Sequence, residues 1–305
     1  ETNQVILDLT KGHPYCMFLA VEAFGRQGAS ASSLNPALLR EGTEQMLIAE
    51  YLTSQVVENE KDHDIREALT VGAVFRFLNT SNLCFLLSWS TARATSVLHA
   101  LERRALAIPH GEVWYFHDIL AELLLKRMQK CMSSMDYTNL HARALAYYDQ
   151  LGCSGKLSGS EWLICLVEPL YHRLQIDEGE AFSYFESEYK PRLDRRQRDV
   201  CQILVSQIDL TRVRDRGIEA WFRFRTADFF REFGRYQTAL DMYHELLDHF
   251  IPAHRVADAR LLASLHNNIG WAYLFHDPGE NRQRAVDSFE TARQMASDHG
   301  MRLIE

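Results

Sequence analysis

The stretch Ala105-Leu-Ala-Ile-Pro-His-Gly-Glu-Val-Trp-Tyr-Phe116 is where the hydrophobic period of this 305-residue chain changes. On either side of it, apolar residues recur every three to four positions, the spacing of one helix face. Within it, residues 105–109 and 112–116 read as two short strands around His110 and Gly111, a hairpin with a small loop. The fold class that follows is mainly α with a single small β-hairpin.

Upstream, residues 42–59 form an amphipathic pattern through Leu47, Ile48, Tyr51, Leu52 and Val56. Residues 65–79 read as the next helix, with Asp64 as its cap. Thr80 or Ser81 opens a short one carrying Leu83, Phe85 and Leu86, and residues 91–104 give another. Three helices and then a hairpin are the outline of a winged-helix domain, placed at 37–130 with the wing at 105–116. Its last helix runs over about 117–130. A connecting helix and loop occupy 131–159. At the start, two apolar helical pieces flank Gly12-His13-Pro14. Proline offers no N–H to the preceding turn, so the helix breaks there. Residues 28–36 have loop composition, which sets 1–36 apart.

From residue 160 onward the chain reads as helical hairpins. Ala227, Gly234, Tyr236, Ala239, Tyr243, Leu246 and Pro252 match the tetratricopeptide pattern, with small residues where two helices touch and aromatics where they interlock. Gly270, Tyr273, Ala285, Phe289 and Ala292 form a second copy. The two are 285 − 239 = 46 residues apart, against a usual period of about 34. Residues 160–220, with Trp162, Leu166, Tyr171, Phe182 and Phe185, are expected to stack before them as degenerate units. The aromatics Trp221, Phe222, Phe224, Phe229, Phe230 and Phe233 exceed what one helix face holds. Most are expected in the core. Trp221, Phe222, Phe224 and Phe229 are taken as the candidates for a groove that binds a protein or peptide, because clustered exposed apolar surface usually has a partner.

Composition narrows the function. With 33 Lys+Arg against 41 Asp+Glu, the net charge is −8, which disfavours nucleic acid as the main partner. No apolar run reaches the roughly 18 residues of a membrane helix. The six cysteines, at 16, 84, 131, 153, 165 and 201, lie mostly among apolar neighbours in no zinc spacing. Free core thiols in a reducing cytosol are expected. His244, Asp248, His249 and His254 offer ligand chemistry, but 249 is rotated off the face that 244 and 248 share, so no metal is expected. Neither G-x-S-x-G nor H-E-x-x-H occurs. No P-loop of the form G-x-x-x-x-G-K-[ST] occurs either, Gly152-Cys-Ser-Gly155-Lys156 having the wrong spacing. The chain is therefore not expected to be an enzyme by itself. It begins at Glu1 without a methionine, and is read as part of a longer protein.

Gly12 and Pro14, followed in order by His117-Asp118 at the end of the hairpin, resemble the motifs of the STAND nucleotide switches: the NB-ARC and NOD-like proteins and the maltose-regulator class. That resemblance implies a lid piece whose Pro14 packs on adenine, and a winged helix whose His117 contacts the β-phosphate of ADP and holds the off state. Phe116 stands where the family has methionine. The domain order, winged helix and then helical-repeat sensor, is also the family's. The resemblance further implies a P-loop core elsewhere in the parent binding ADP or ATP with magnesium, contact with that core, and a protein or peptide signal on the repeats. Assembly into an oligomer on activation stays open. Cofactors in this piece are expected to be none. A winged-helix transcriptional regulator with a repeat-built effector domain, and a plain tetratricopeptide adaptor, are the alternatives.

Overall fold

The computed structural model describes residues 14–22, 45–153 and 161–300. Those residues are mainly α-helical, with one two-stranded antiparallel sheet. The chain divides into two compact units, Glu1–Gln150 and Leu151–Glu305.

In the first unit, α1 (Pro14–Ala20) packs on α2 (Gln45–Glu58). The next helix, α3 (His63–Val71), is capped by Asp62, whose carboxylate accepts from the N–H groups of Asp64 and Ile65. Asp64, the expected cap, sits inside the first turn instead and takes the Arg93 guanidinium at 2.5 Å. That contact holds its carboxyl below the ordinary range. The helix expected over 65–79 ends early: a 3₁₀ turn at Gly72–Val74 leads into extended chain. Burial there alternates around exposed Arg76, between buried Phe75 and Phe77, a period of two that the longer helical pattern hides. Gly72 allows Leu78 to fold back closely, since a β-carbon on it would lie 3.3 Å from the Leu78 side chain.

Asn79 opens α4 (Thr80–Leu87) through a reciprocal capping box with Asn82, and Ser90 caps α5 (Thr91–Arg103). The hairpin follows as β1 (Ala107–His110) and β2 (Val113–Phe116), with Ala107 paired to Phe116. Its loop is Gly111-Glu112, one residue later than the expected His110-Gly111. Gly111 has φ +65°, and the residue after it stays in the ordinary region, the pattern of a type II′ hairpin turn. Leu78 bridges to Trp114 with both backbone bonds made, at 2.6 and 2.7 Å, so a third short strand segment flanks the hairpin. Trp114 also donates its indole N–H to Glu102 at 3.1 Å, which ties the hairpin to α5.

Next come α6 (Asp118–Cys131) and α7 (Ser134–Cys153). Leu98, Leu101, Leu106, Leu120, Leu123 and Leu124 are buried in the core they share with the earlier helices. The segment expected only to connect packs here: Tyr147 and Tyr148 lie edge-on against Phe75, both at 5.8 Å. Arg93 of α5 and Arg104 at its C-cap are engaged by Asp64 and Glu60, which leaves Arg103 as the exposed cation at this helix end.

The second unit begins with α8 (Glu161–Ile176), which packs on α9 (Glu178–Asp194). It continues with α10 (Arg198–Ser206), α11 (Arg216–Glu232), α12 (Tyr236–His244), α13 (Ile251–His254), α14 (Ala259–His276) and α15 (Arg282–Asp298). Three hairpins, α9–α10, α11–α12 and α14–α15, lie in sequence, and their first helices touch one another in that order. Of the expected small residues, Ala227, Ala239, Gly270, Ala285 and Ala292 are buried, while Gly234 is exposed in the turn after α11, with φ +79°. Gly270 is the tightest, because a β-carbon there would lie 2.7 Å from the Phe289 ring. Between α12 and α13 the helix widens into a π turn at Glu245–Phe250. Pro252 supplies the cause: it has no N–H for the preceding turn, and its ring crowds the carbonyl four residues back.

Candidate functional site

The groove assigned to the α11 aromatics is corrected by their burial. Phe222, Phe224 and Phe229 are 0%, 1% and 4% exposed. As a middle helix, α11 has two covered sides. Phe222 packs on Phe182 and Phe185 of α9, while Phe224 meets Tyr243 of α12. Each such ring contributes about 1.5–3 kcal/mol through burial, so these three belong to the core and are unavailable to a partner. Phe229 packs on Phe230 and Phe233. Trp221 alone of the four stays partly open.

Trp221 stands at a cleft of about 750 Å³ bounded by α9, α11, α14 and the end of α15. The spacing Trp221, Arg225, Asp228 keeps one face of α11 turned to it, and Arg260, Ser264, Asn267 does the same on α14. Asp228, 4% exposed, is the hub of the wall. Its Oδ1 accepts from Arg231 Nη2 at 2.8 Å, Asn268 Nδ2 at 2.9 Å and the Tyr243 hydroxyl at 3.3 Å. Its Oδ2 accepts from Arg225 Nη1 at 3.1 Å. Arg225 in turn grips both oxygens of Glu186, at 2.6 and 2.9 Å, the bidentate geometry that only a planar guanidinium provides. Burial pulls the Arg225 and Arg231 guanidinia toward neutrality, but Glu186 and Asp228 outweigh it and hold them charged. Burial, with Asp228 adding to it, pushes the Tyr243 phenol well up. The network thus fixes charge and rotamer together.

Trp221 donates its indole N–H to Asp258 at 2.8 Å, and Asp258 also caps α14. Lys190 holds Glu186 at 2.5 Å. Arg260 differs from the other cations of the wall: it is exposed on the first turn of α14, and among the described residues no carboxylate lies within ion-pair reach of it.

In the first unit, His117 is exposed at the N-cap of α6, and its side chain does not cap the helix. The first bond of α6 runs from the Ala121 N–H to the His117 carbonyl at 2.8 Å. The amides of residues 118–120 therefore have no carbonyl partner within the helix, as at any helix start. Asp118 is exposed beside them. Gly12 lies outside the described residues, and of Pro14 only its place at the start of α1 is described. Of the four nucleotide candidates, only His117 and Asp118 have described side-chain surroundings. The structure places these two side by side.

The cleft was missed in the sequence because its polar residues have the same spacing as a solvated helix face. One signal was available: Arg225, Asp228 and Arg231 put a carboxylate three residues from a guanidinium on either side, a pattern that can neutralise a buried aspartate. Of the cysteines expected in the core, Cys131 is exposed, while Cys16 and Cys201 are buried. No group of metal-binding side chains forms among the described residues, and none of the described helices is long and apolar enough to cross a membrane.

No family model and no curated protein matches the chain. A solved structure does: a signal transduction ATPase with numerous domains (STAND) protein with a tetratricopeptide repeat sensor, from Pyrococcus horikoshii. It is 10% identical with a TM-score of 0.34, over 94% of this chain and 48% of that one. The chain thus spans about half the length of that protein.

Proposed function

We propose that this chain is the regulatory and sensor part of a STAND-class nucleotide switch. The first unit acts as a winged helix that restrains an ADP-bound off state, and the repeat array receives a protein or peptide signal. The observation that carries the reading is the setting of His117. A hairpin fastened by Trp114 to Glu102 and by Leu78 to its own second strand delivers this histidine, exposed, to the start of α6. Bridge pairing from the chain between α3 and α4 is what a winged helix needs to hold its wing, and it supports that reading of the unit. An imidazole and free first-turn amides at one point fit a phosphate group.

They fit it from one side only, so the P-loop, the magnesium and the rest of the nucleotide site belong to the core that this chain would work with. Asp118 is suited to a different task. Its carboxylate would repel a phosphate at close range, but at the positive end of α6 it stabilises the helix start that presents His117. Release of the diphosphate would free the wing, and a signal with higher affinity for the released state would shift the population toward it.

The test is the ADP content of the purified switch, meaning this chain together with its P-loop core, as wild type and as His117→Ala. Truncation at this exposed position leaves the fold in place, and bound ADP is expected to fall. Equal ADP content in the two proteins refutes the assignment. This chain alone is expected to show no ATP hydrolysis.

A further inference from the structure

The cleft allows the sensor reading, on which this inference rests, to be carried to the chemistry of the signal. Among the described residues, four cations, Lys190, Arg225, Arg231 and Arg260, line it with one carboxylate, Asp228. Behind the wall, Glu186 and Glu232 engage the first three of these. The carboxylate nearest Arg260 in sequence is Asp258, whose two oxygens serve the α14 amides and the Trp221 indole. Arg260, at one end of the α14 face, is thus the cation of the wall with no ion pair among the described residues. Ser264 and Asn267 follow it at helical spacing and leave polar atoms to the cleft.

Four residues beyond Asn267, the same face turns apolar. Trp271 and Phe275 are 39% and 53% exposed, and their rings are stacked at 5.6 Å with 17° between planes. Tyr236 extends the stack, 5.8 Å from Phe275. One helix face thus presents a free guanidinium, then amides and a hydroxyl, then an open aromatic shelf. From Arg260 to Trp271 is 271 − 260 = 11 residues, roughly 16 Å of helix. An extended peptide covers that span in about five residues.

We propose that this face of the array binds an extended acidic peptide segment, which sets a carboxylate on Arg260 and, about five residues away, an apolar side chain on the Trp271–Phe275 shelf. The exposed Arg260 guanidinium, open to a new ion pair, selects for anionic residues at one end. The amides along the face hold the backbone between, and the aromatic stack takes the apolar anchor.

The experiment is fluorescence anisotropy on this chain with fluorescein-labelled Gly/Ser-based peptides. The first probe carries a Glu-Glu pair and a leucine about five positions on. In the others, lysine or glutamine replaces the glutamates, or the leucine moves to about two positions from the pair. The first probe is expected to bind, and to bind more weakly as salt rises from about 50 to about 300 mM. Arg260→Glu is expected to weaken it by about tenfold or more, the loss of a charge-assisted contact. This change puts a carboxylate in a helix first turn, where it favours the fold, and unchanged helical circular dichroism verifies that. Trp271→Ala should weaken the same probe, and the short-spaced peptide should bind like that variant. Equal affinity for the lysine or glutamine probe, or no effect of Arg260→Glu, overturns the proposal. Binding of every probe with sensitivity only to Trp271→Ala also overturns it, while leaving the sensor reading intact. If no probe binds, the proposal fails, and the ADP content of the His117→Ala switch still decides the nucleotide reading separately.

Discussion

Replacing Asp228 with alanine should damage the second unit more than any exposed charge change in it. The carboxylate is 4% exposed and receives hydrogen bonds from Arg225, Arg231, Asn268 and Tyr243. Its removal leaves two guanidinia short of a counter-charge in a wall where burial already opposes their charge. Breaking a buried pair from one side costs about 3–5 kcal/mol. For a domain of this size each kcal/mol moves the thermal midpoint by about 2–4 °C, so a fall of roughly 6–20 °C is expected. Differential scanning calorimetry or circular dichroism melts measure it. The double variant Asp228→Ala/Arg231→Met supplies the control: with one stranded cation gone, the loss should be smaller than the sum of the singles by about 1–3 kcal/mol. A single-variant loss below about 1 kcal/mol, the size of an exposed salt bridge, would refute the view of Asp228 as the hub of the wall.

Other consequences are as direct. Gly270→Ala gains about 1 kcal/mol of helix propensity but overpacks the Phe289 ring at a cost of about 1–3 kcal/mol, so a net loss is expected. In a Phe289→Leu background the same change should become stabilising, and a stabilised Gly270→Ala single variant sinks the argument. Burial holds His266 below its ordinary value of 6.5, so the unfolded chain takes up its proton first as pH falls. The stability this contributes is present above 6.5 and is lost as pH falls toward the lower folded value. Melts across that range should show the dependence, reduced in His266→Gln. In the native protein Cys131 should react promptly with a maleimide. Cys201, buried and with its thiol pushed up to about 11, should react only on unfolding, as mass spectrometry of labelled peptides would reveal.

The sequence made the hairpin legible because a change of period is a local signal, and Val113, Trp114 and Tyr115 are good strand formers. The repeat contacts were legible for a related reason: Ala227, Ala239, Gly270, Ala285 and Ala292 mark where helices approach too closely for larger side chains. Phe75–Leu78 was not, because only Phe75, Arg76 and Phe77 alternate, inside a longer helical pattern, and the partner of Leu78, Trp114, lies 114 − 78 = 36 residues further on. The α11 aromatics were misassigned because counting one apolar face per helix fails for a helix with neighbours on two sides. His117 and Asp118 stand where the resemblance put them in sequence, and their exposure needed coordinates. The cleft was hidden for a different reason. Charged and amide side chains at helical spacing look the same whether they face water or one another, and only the approach of α14 to α11 turns Asp228 and Asn268 into neighbours.

The π turn at Glu245–Phe250 gives this array a place to vary in length. A single π turn holds one residue more than the α-helical turn it replaces. Leu246, Phe250 and Ile251 are all buried around it, and they would still share a face at α-helical spacing if one of the exposed residues between them, Asp248 or His249, were deleted. Helix interiors usually forbid insertions and deletions, because every downstream side chain rotates by about 100°. Here the widened turn would absorb the loss of one residue, so a single deletion inside this helix is expected to leave the buried face in register, where elsewhere in a helix it would not.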